Sequence, residues 1–320
     1  MCRHTEPDSH SALPLSTPEE TPMTYPTDRP ATWFVTGASR GLGLELVRQL
    51  LGRGDNVAAT TRSTERLTGA LEGTDTSRLL PLAVDLADEA QVSRAVARTT
   101  ERFGTLDVVV NNAGYGYLAA VEEVSDADAR TMFDVQVFGV WNVLRAVLPG
   151  LRANRSGHVI NVSSIVGLVP FPGWGLYGAG KFALEAISES LASEVADHGI
   201  RVNTVEPGYM RTDFLRPVSL GLPSSTSDAY PAVREMVEQH LDMPGTQLGD
   251  PAKAAAAIIT VATTGDAPCT SCSARTPCPW RTPASRPWPT SSRPAVRSRP
   301  PRISAPRTPP RSELYDSGFS

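Results

Sequence analysis

Between residues 31 and 265 the chain alternates between short apolar runs and longer stretches with helical periodicity. Runs such as DVVVN at 107–111 are apolar on both faces, as expected of strands buried between two layers of helices. Strand alternating with helix predicts a parallel sheet with right-handed crossovers. We therefore predict an α/β fold with a doubly wound parallel sheet of six strands: TWFVTG, NVAATT, LLPLAVD, LDVVVNNAG, GHVINVSS and RVNTVEPG.

The amphipathic stretches repeat apolar residues every three or four positions, which is typical of helices covering a sheet. Residues 126–151 form one helical pattern in this sense, and residues 182–199 form another. After residue 205, the segment 209–248 has no strand pattern and is predicted to be a long insertion. Most residues of its FLRPVSLGLP stretch are apolar.

Both ends of the chain lack this pattern. Residues 1–30 are rich in Pro, Ser, Thr and Glu and are predicted to be a disordered leader, with Met23 a candidate natural start. Residues 266–320 contain twelve Pro, which exclude helices and central strands, so a disordered Pro/Arg-rich tail is predicted. Its composition is typical of a frameshifted reading of GC-rich DNA, while a Pro-rich ligand for a partner protein is the alternative. The single domain then spans residues 31–265.

Charge and cysteine content exclude several classes of protein. Residues 266–320 carry nine Arg and three acidic residues, so the net charge of −4 leaves an acidic domain, which argues against nucleic-acid binding. The chain has no signal peptide and no apolar run of about 18 residues, which indicates a cytoplasmic protein without a membrane span. Cys269 and Cys272 form a C-x2-C pair, but no His follows them, and we predict no metal site.

A glycine cluster, TGASRGLG, follows the first strand and opens a helix. Glycine permits a tight turn and a close approach of backbone to phosphate, and the N-terminus of a helix attracts anions. The spacing is G-x3-G-x-G, and its position in the first strand–helix unit predicts nucleotide binding. An ordinary glycine-rich turn is the alternative.

The end of the second strand indicates which dinucleotide would bind. A site for NAD has an Asp or Glu there to bind the ribose hydroxyls, whereas this chain has Thr60, Thr61 and Arg62. Arg62 and Arg40 can instead bind a ribose 2′-phosphate through their forked N–H donors. The sequence therefore favours NADP(H) over NAD(H), unless both arginines are simply solvated at the surface.

The remaining distinctive polar residues follow other predicted strands, at the edge where ligands bind in open α/β sheets. Asp85 ends the third strand, NNAG at 111–114 the fourth, NVSS at 161–164 the fifth and EPG at 206–208 the sixth. Tyr177 and Lys181 are four residues apart and share one face of the next predicted helix.

This combination of glycine turn, NNAG, terminal Ser, Tyr-x3-Lys and Pro-Gly resembles the short-chain dehydrogenase/reductase family. The resemblance covers about residues 31–265 and implies a Rossmann-type fold and hydride transfer between NADP(H) and a small-molecule carbonyl/alcohol pair. It implies that Tyr177 is the general acid/base and that Ser164 binds the substrate oxygen. Lys181 would lower the pKa of Tyr177, which is about 10 in a free phenol, and would bind the nicotinamide ribose.

The resemblance also implies a set of cofactor-binding residues. Those for the phosphates are Gly37, Ser39, Arg40, Gly41, Leu42 and Gly43, with Asp85 and Leu86 at the adenine. Those for the ribose and nicotinamide are Asn112, Ala113, Gly114, Tyr177, Lys181, Pro207, Gly208 and Thr212.

Two positions depart from the family pattern. The family usually has an Asn that shapes a water-mediated proton path to the Lys, and this chain has Gln136 there. The family closes its sheet with a seventh strand, expected near Ala267, where the Pro/Arg-rich segment begins. Because family members often associate through this region, the altered C-terminus puts a homo-oligomer in doubt. A non-catalytic NADP-binding sensor or scaffold of the same fold is the alternative function.

Overall fold

The computed structural model describes residues 25–264 and consists there of a parallel sheet covered by helices on both faces. The strands are β1 (Thr32–Val35), β2 (Asn56–Thr61), β3 (Leu79–Ala83), β4 (Val108–Asn111), β5 (Gly116–Tyr117), β6 (Gly157–Val162), β7 (Ile200–Val205) and β8 (Leu220–Gly221). The helices are α1 (Gly41–Gly52), α2 (Thr64–Ala70), α3 (Glu89–Phe103), α4 (Asp126–Phe133), α5 (Gly139–Asn154), α6 (Gly175–Val195), α7 (Pro231–Leu241) and α8 (Pro251–Thr264).

The main sheet has the strand order β3-β2-β1-β4-β6-β7, with every neighbouring pair parallel. This confirms the predicted Rossmann-type, doubly wound α/β fold and its six strands. The chain builds outward from β1 to β3 and then continues on the other side with β4, so the strand order reverses between β1 and β4. Ligands of such sheets bind beside the carboxyl ends of the strands at this reversal.

Successive residues of each central strand pack into opposite helical layers. In β1, Trp33 and Val35 belong to the apolar cluster that includes residues of α1 and α8. Phe34 belongs to the cluster on the other face, with residues of α3, α5 and α6. All four side chains of β1 are fully buried. The absence of polar alternation in the sequence of these strands therefore reflects burial on both faces.

The helical pattern at 126–151 forms one uninterrupted helical segment, as the sequence predicted, but the middle of this segment is π-helical. It consists of α4, a π-helical turn over Asp134–Phe138 and α5. The π turn inserts an extra residue into the hydrogen-bonded spiral, so Gln136 and Val137 are buried within it. Such a turn keeps the apolar periodicity on either side nearly intact. The hydrophobic pattern of the sequence therefore did not reveal the π turn.

Three more elements were not predicted from the sequence. Helix α7 lies within the predicted insertion at 209–248, and the two-residue strands β5 and β8 pair with each other in parallel. Both β5 and β8 are far below the usual strand length, so no periodicity marks them.

The described residues include the predicted N-terminal boundary of the domain but not the C-terminal one. Arg29 donates two hydrogen bonds to Asp107, at 2.8 and 2.7 Å, and Tyr25 Oη donates to Asp55 at 3.0 Å. These contacts extend the packed domain to Tyr25, upstream of the predicted boundary at residue 31. The predicted tail and the position of a seventh strand lie outside the described residues. Within 25–264, no helix is both long and apolar enough to cross a membrane.

Candidate active site

A cavity of about 1080 Å³ opens along the carboxyl ends of β1, β2, β3, β4, β6 and β7. Every cofactor-binding residue predicted from the sequence lines it, as do Ser164, Tyr177 and Lys181. Gln136 is the exception, since it lies buried behind the cavity wall. The predicted residues are up to 175 positions apart in the sequence. Most of them meet in one cavity because the strands of a parallel sheet all end at the same edge.

The glycine turn after β1 fits the backbone-lined cradle of a phosphate site. Gly37 has a φ of +67° and Gly41 a φ of +54°, values that other residues rarely adopt. A Cβ atom on Gly43 would lie 2.5 Å from both Asn112 Nδ2 and Gly37 O, so only glycine fits there. The turn is also held from β4, because Asn112 Nδ2 donates to the carbonyls of Thr36 at 2.9 Å and Gly37 at 3.2 Å.

Three arginines converge at the end of the cavity beside β2. Arg40, Arg62 and Arg66 all line the cavity, and the segment Thr60–Arg62 supplies no carboxylate. Burial lowers the pKa of Arg40, and the positive charges of Arg62 and Arg66 lower it further. The positive charges of these arginines repel one another. An anion with several negative charges would relieve this repulsion and is a suitable ligand for such a cluster. The sequence reading missed Arg66 because α2, which carries it, has only seven residues.

Asp85 and Leu86 follow β3, at the same end of the cavity as the arginines. The carboxylate of Asp85 accepts a hydrogen bond from Ala87 N at 3.0 Å, which shapes the turn between β3 and α3. Leu86 is almost fully buried and its carbonyl accepts from Asn142 Nδ2 at 2.8 Å. Both residues therefore have their conformation set by protein contacts before any ligand binds.

Ser164, Tyr177 and Lys181 lie together at the centre of the cavity. Ser164 follows β6 and caps a short 3₁₀ turn, with its Oγ accepting from Val166 N at 3.3 Å. Tyr177 and Lys181 lie on the first two turns of α6 and point the same way, since they are four residues apart. Lys181 Nζ donates to Val162 O at 2.8 Å and lies 5.6 Å from the centre of the Tyr177 ring.

Burial dominates the protonation of this group. It raises the pKa of Tyr177 well above that of a free phenol, and the hydrogen bond with Ser164 opposes the shift. Burial lowers the pKa of Lys181 to about 8, opposed by the nearby carboxylate of Glu185. In the protein alone, the pKa of Tyr177 is thus raised, opposite to the lowering by Lys181 that the sequence predicted. Both groups carry their protons at neutral pH.

Gln136 is fully buried in the π turn, behind Gly114. Its Nε2 donates to Tyr115 O at 3.0 Å, while Oε1 has no hydrogen-bond partner among the described residues. A Cβ atom on Gly114 would lie 3.4 Å from Gln136 Oε1 and 3.7 Å from Lys181 Nζ, so both groups face the space that a side chain at Gly114 would occupy. Burying an amide oxygen without a partner costs free energy, and a water molecule is the usual partner in such places.

A buried chain of hydrogen bonds positions the strand end that carries Ser164, and the sequence reading missed it. Asn111 Nδ2 donates to Asn161 Oδ1, and Asn161 Nδ2 donates to Ser188 Oγ, both at 2.8 Å. Ser188 Oγ in turn donates to Leu184 O at 2.6 Å. These bonds connect β4, which Asn112 follows, β6, which Ser164 follows, and α6, which carries Tyr177. An Asn at the end of each of two neighbouring strands was the available signal.

The other end of the cavity is apolar. It begins at Pro207, Gly208 and Thr212, which follow β7, and Thr212 Oγ1 accepts from Phe214 N at 3.3 Å. Aromatic and aliphatic side chains line the space beyond Ser164 and Tyr177: Phe171, Trp174, Tyr209, Phe214, Leu215 and Val218. The described residues include no cluster of three or more His, Cys, Asp or Glu that could hold a metal ion.

Comparisons with known proteins agree with this arrangement. The sequence model of the short chain dehydrogenase family matches residues 31–222. The oxidoreductase BOA17 of Botryotinia fuckeliana is 39% identical over 229 residues, which are 72% of this chain and 83% of that protein.

Solved structures show the same likeness. A short-chain dehydrogenase from Streptomyces avermitilis is 37% identical with a TM-score of 0.68, over 76% of this chain and 87% of that one. The structure of ElxO with NADP bound is 26% identical with a TM-score of 0.63, over 76% of this chain and 95% of that one. From its sequence, its sheet and the cavity at the strand ends, the chain belongs to the short-chain dehydrogenase/reductase family of NAD(P)-dependent oxidoreductases.

Proposed function

We propose that the protein interconverts a carbonyl and an alcohol by hydride transfer with NADP(H) in preference to NAD(H). The observation that carries this proposal is one cavity with Ser164, Tyr177 and Lys181 at its centre and three arginines at one end. The first group can move a proton at a substrate oxygen, and the second can hold a phosphate dianion.

The residues of the cavity fit a dinucleotide with a 2′-phosphate. The glycine turn would hold the pyrophosphate with its backbone N–H groups and the N-terminus of α1, and it has no room for a Cβ atom at Gly43. Arg40, Arg62 and Arg66 would hold the 2′-phosphate, and the end of β2 has no acidic residue to bind ribose hydroxyls. The similar structure of ElxO, which contains NADP, supports the same choice.

The proposed proton donor is Tyr177. Because burial raises its pKa, the phenol is protonated at neutral pH and can donate its proton to the carbonyl oxygen during reduction. Ser164 Oγ lies beside it and donates a hydrogen bond to the same oxygen, which stabilises the negative charge that develops there. The nicotinamide, when bound, supplies or accepts the hydride.

Lys181 and Gln136 serve the proton path in this proposal. The ammonium of Lys181, near the Tyr177 ring, stabilises the phenolate left after proton transfer. A proton given up by Lys181 can be replaced from the side of Gly114. There the Oε1 of Gln136, which has no hydrogen-bond partner among the described residues, provides a site for a bound water. Gln136 thus acts through Lys181 and not on the substrate.

The test is NADPH and NADH oxidation with a panel of ketones and aldehydes, comparing the parent with Tyr177→Phe. We expect the parent to oxidise NADPH, and the variant to lose about 10²- to 10⁴-fold in kcat because the acid is absent. NADPH affinity, measured by fluorescence titration, should stay close to that of the parent. A variant that turns over carbonyl compounds as fast as the parent would contradict the role of Tyr177. A parent that binds NADPH but reduces no carbonyl compound would instead favour a sensor or scaffold.

A further inference from the structure

Helix α7 packs over the apolar end of the cavity and carries a buried histidine, His240, that no step of the proposed mechanism uses. His240 is 7% exposed and does not line the cavity. Its Nε2 lies 2.7 Å from Tyr209 Oη, and its Nδ1 lies 2.7 Å from Met236 O. Tyr209 lines the cavity directly after Pro207 and Gly208. His240 therefore connects α7 to the loop after β7.

The two partners determine the tautomer of His240. A backbone carbonyl can only accept, so Nδ1 carries the hydrogen and donates it to Met236 O. In the neutral ring Nε2 then has a free lone pair and accepts the hydrogen of Tyr209 Oη. This hydrogen bond thus fixes the orientation of the Tyr209 ring at the mouth of the cavity.

His240 also supports the tryptophan beside the proposed catalytic tyrosine. The His240 ring contacts the rings of Trp174 and Tyr209, each with 5.4 Å between centroids. Trp174 in turn contacts the ring of Tyr177, also at 5.4 Å. We call Trp174 and Tyr209 the aromatic wall, because both line the cavity and both rest on His240.

Met236 of helix α7 packs against the backbone beside the aromatic wall. Gly173 precedes Trp174 and has a φ of +79°, and a Cβ atom there would lie 1.8 Å from Met236 Cε. At the other end of the helix, Arg234 forms an ion pair with the buried carboxylate of Glu123. Helix α7 is therefore held through both Arg234 and His240, and His240 contacts both rings of the aromatic wall.

Charged side chains are confined to the rest of the cavity. Lys181 lies beside Tyr177, and the other charged lining residues belong to the arginine end: Arg40, Arg62, Arg66, Asp85 and Asp213. The wall around the apolar end offers aromatic faces and aliphatic groups instead. A substrate with a charged group would have to leave it there without a counterion, which is unfavourable.

We propose that His240 is a positioning residue that holds the aromatic wall in place and thereby selects uncharged carbonyl compounds with an apolar ring. This inference rests on the proposed function, since it assigns the substrate class of the same cavity. The selection comes from the shape of the aromatic wall and from burial of the substrate ring against Trp174 and Tyr209.

The experiment compares His240→Phe and His240→Gln with the parent on 2-tetralone, a bicyclic aromatic ketone, and dihydroxyacetone, a small polar one. Phe keeps the ring but cannot accept from Tyr209, whereas the Gln amide can still accept at that position. We expect His240→Phe to lower the ratio of kcat/KM for 2-tetralone over dihydroxyacetone about tenfold, which corresponds to the loss of about one hydrogen bond. The loss should lie in KM, and His240→Gln should restore most of the ratio.

Two further variants separate positioning from stability. Arg234→Gln loosens α7 at its other anchor and should lower the melting temperature while leaving the substrate ratio unchanged. Tyr209→Phe removes the same hydrogen bond as His240→Phe, so the double variant should lose no more than either single variant. Equal changes of the ratio in Arg234→Gln and His240→Phe, or additive losses in the double variant, would overturn the proposal.

Binding of 2-tetralone and dihydroxyacetone is also measured by calorimetry with and without NADP⁺, which requires no turnover. We expect the parent to bind 2-tetralone more tightly and His240→Phe to lose this preference. A parent that binds the two ketones equally would overturn the proposal even if it reduces both. A parent that shows the binding preference but no turnover would instead contradict the proposed function and leave the substrate class supported.

Discussion

Tyr177 and Lys181 are adjacent on α6, yet burial shifts their pKa values in opposite directions. Both are at most 6% exposed, and in each case burial disfavours the charged form. The phenol therefore keeps its proton to higher pH and the ammonium loses its proton at lower pH. At pH 7 Lys181, with a pKa of about 8, is mostly charged and Tyr177 is neutral. This is the protonation required for reduction of a carbonyl.

The lowered pKa of Lys181 predicts how the free energy of unfolding changes with pH. Between about pH 8 and 10 the folded chain releases the proton of Lys181 while the unfolded chain, with a pKa of 10.5, keeps it. Stability should therefore rise with pH in this window, by up to about 1.4 kcal/mol per pH unit. Lys181→Met should remove this rise, as measured by urea unfolding at stepped pH.

Lys253 provides the matched control, since it is the only other lysine of the chain and is exposed on α8. Lys253→Met should follow the pH profile of the parent. Equal slopes for the parent and Lys181→Met between pH 8 and 10 would show that the burial of Lys181 does not control its pKa.

The π turn at Asp134–Phe138 is the element that sets the place of Gln136. The side chain spans the distance from this turn to Tyr115 O, where Nε2 donates at 3.0 Å. An Asn at this position has one methylene less. The Gln amide thus reaches Tyr115 O with one methylene more than an Asn would have, and the family pattern alone could not show this contact.

Gln136→Asn should lose the hydrogen bond to Tyr115 and leave a small void, because the residue is fully buried. We expect a loss of about 1–3 kcal/mol in the free energy of unfolding, measured with urea. Gln239→Asn, on an exposed position of α7, should change it by less than about 0.5 kcal/mol. If Gln136→Asn is as stable as the parent, the Asn amide reaches the same partner, and the π turn does not require the longer Gln side chain.

The glycine turn between β1 and α1 can be tested at the level of the element. Gly43→Ala would place a Cβ atom 2.5 Å from Asn112 Nδ2 and Gly37 O, so the turn or Asn112 has to move. We expect a loss of about 1–3 kcal/mol in stability and weaker NADPH binding in fluorescence titration. Gly52→Ala, in the same helix with nothing within 4 Å, should be neutral or slightly stabilising. Tight NADPH binding by Gly43→Ala would exclude the turn as the phosphate cradle.

At the scale of the whole molecule, the cavity draws on the ends of all six strands of the main sheet, so a bound dinucleotide would stabilise the entire domain. NADPH at 100 times its Kd should add about 2.7 kcal/mol, which corresponds to roughly 5–10 °C in Tm. NADH at the same concentration should raise Tm less, because it has no 2′-phosphate for the three arginines.

The double variant Arg62→Ala/Arg66→Ala should weaken NADPH binding and leave NADH binding unchanged. The increase in Tm with NADPH should then equal the increase with NADH. Arg98→Ala, an exposed arginine of α3, should behave like the parent. Scanning calorimetry with each cofactor measures both effects. Equal shifts for NADPH and NADH in the parent would mean that the arginine cluster does not select the phosphate.

The six strands and the residues that end them were predictable because their signals are local. A strand buried on both faces needs consecutive apolar residues, a glycine turn needs glycines next to one another, and a shared helix face needs a spacing of four. The alignment of strand ends then follows from the parallel sheet without further information. Ser164 and the glycine turn could therefore be placed at one edge of the sheet from local signals, whereas the resemblance to the family added Tyr177 and Lys181 to that site.

What the sequence by itself determined is therefore the fold class, the edge of the sheet that carries the site and most of its polar residues. Only the tertiary structure decided the contribution of Arg66, the bond of Gln136 to Tyr115, the Asn111–Asn161–Ser188 chain and the support of the aromatic wall by His240. Each of these depends on residues that are distant in sequence or on an element too short or too irregular to leave a periodic pattern. Burial, which reversed the expected pKa shift of Tyr177, likewise arises only when the helices close over the sheet.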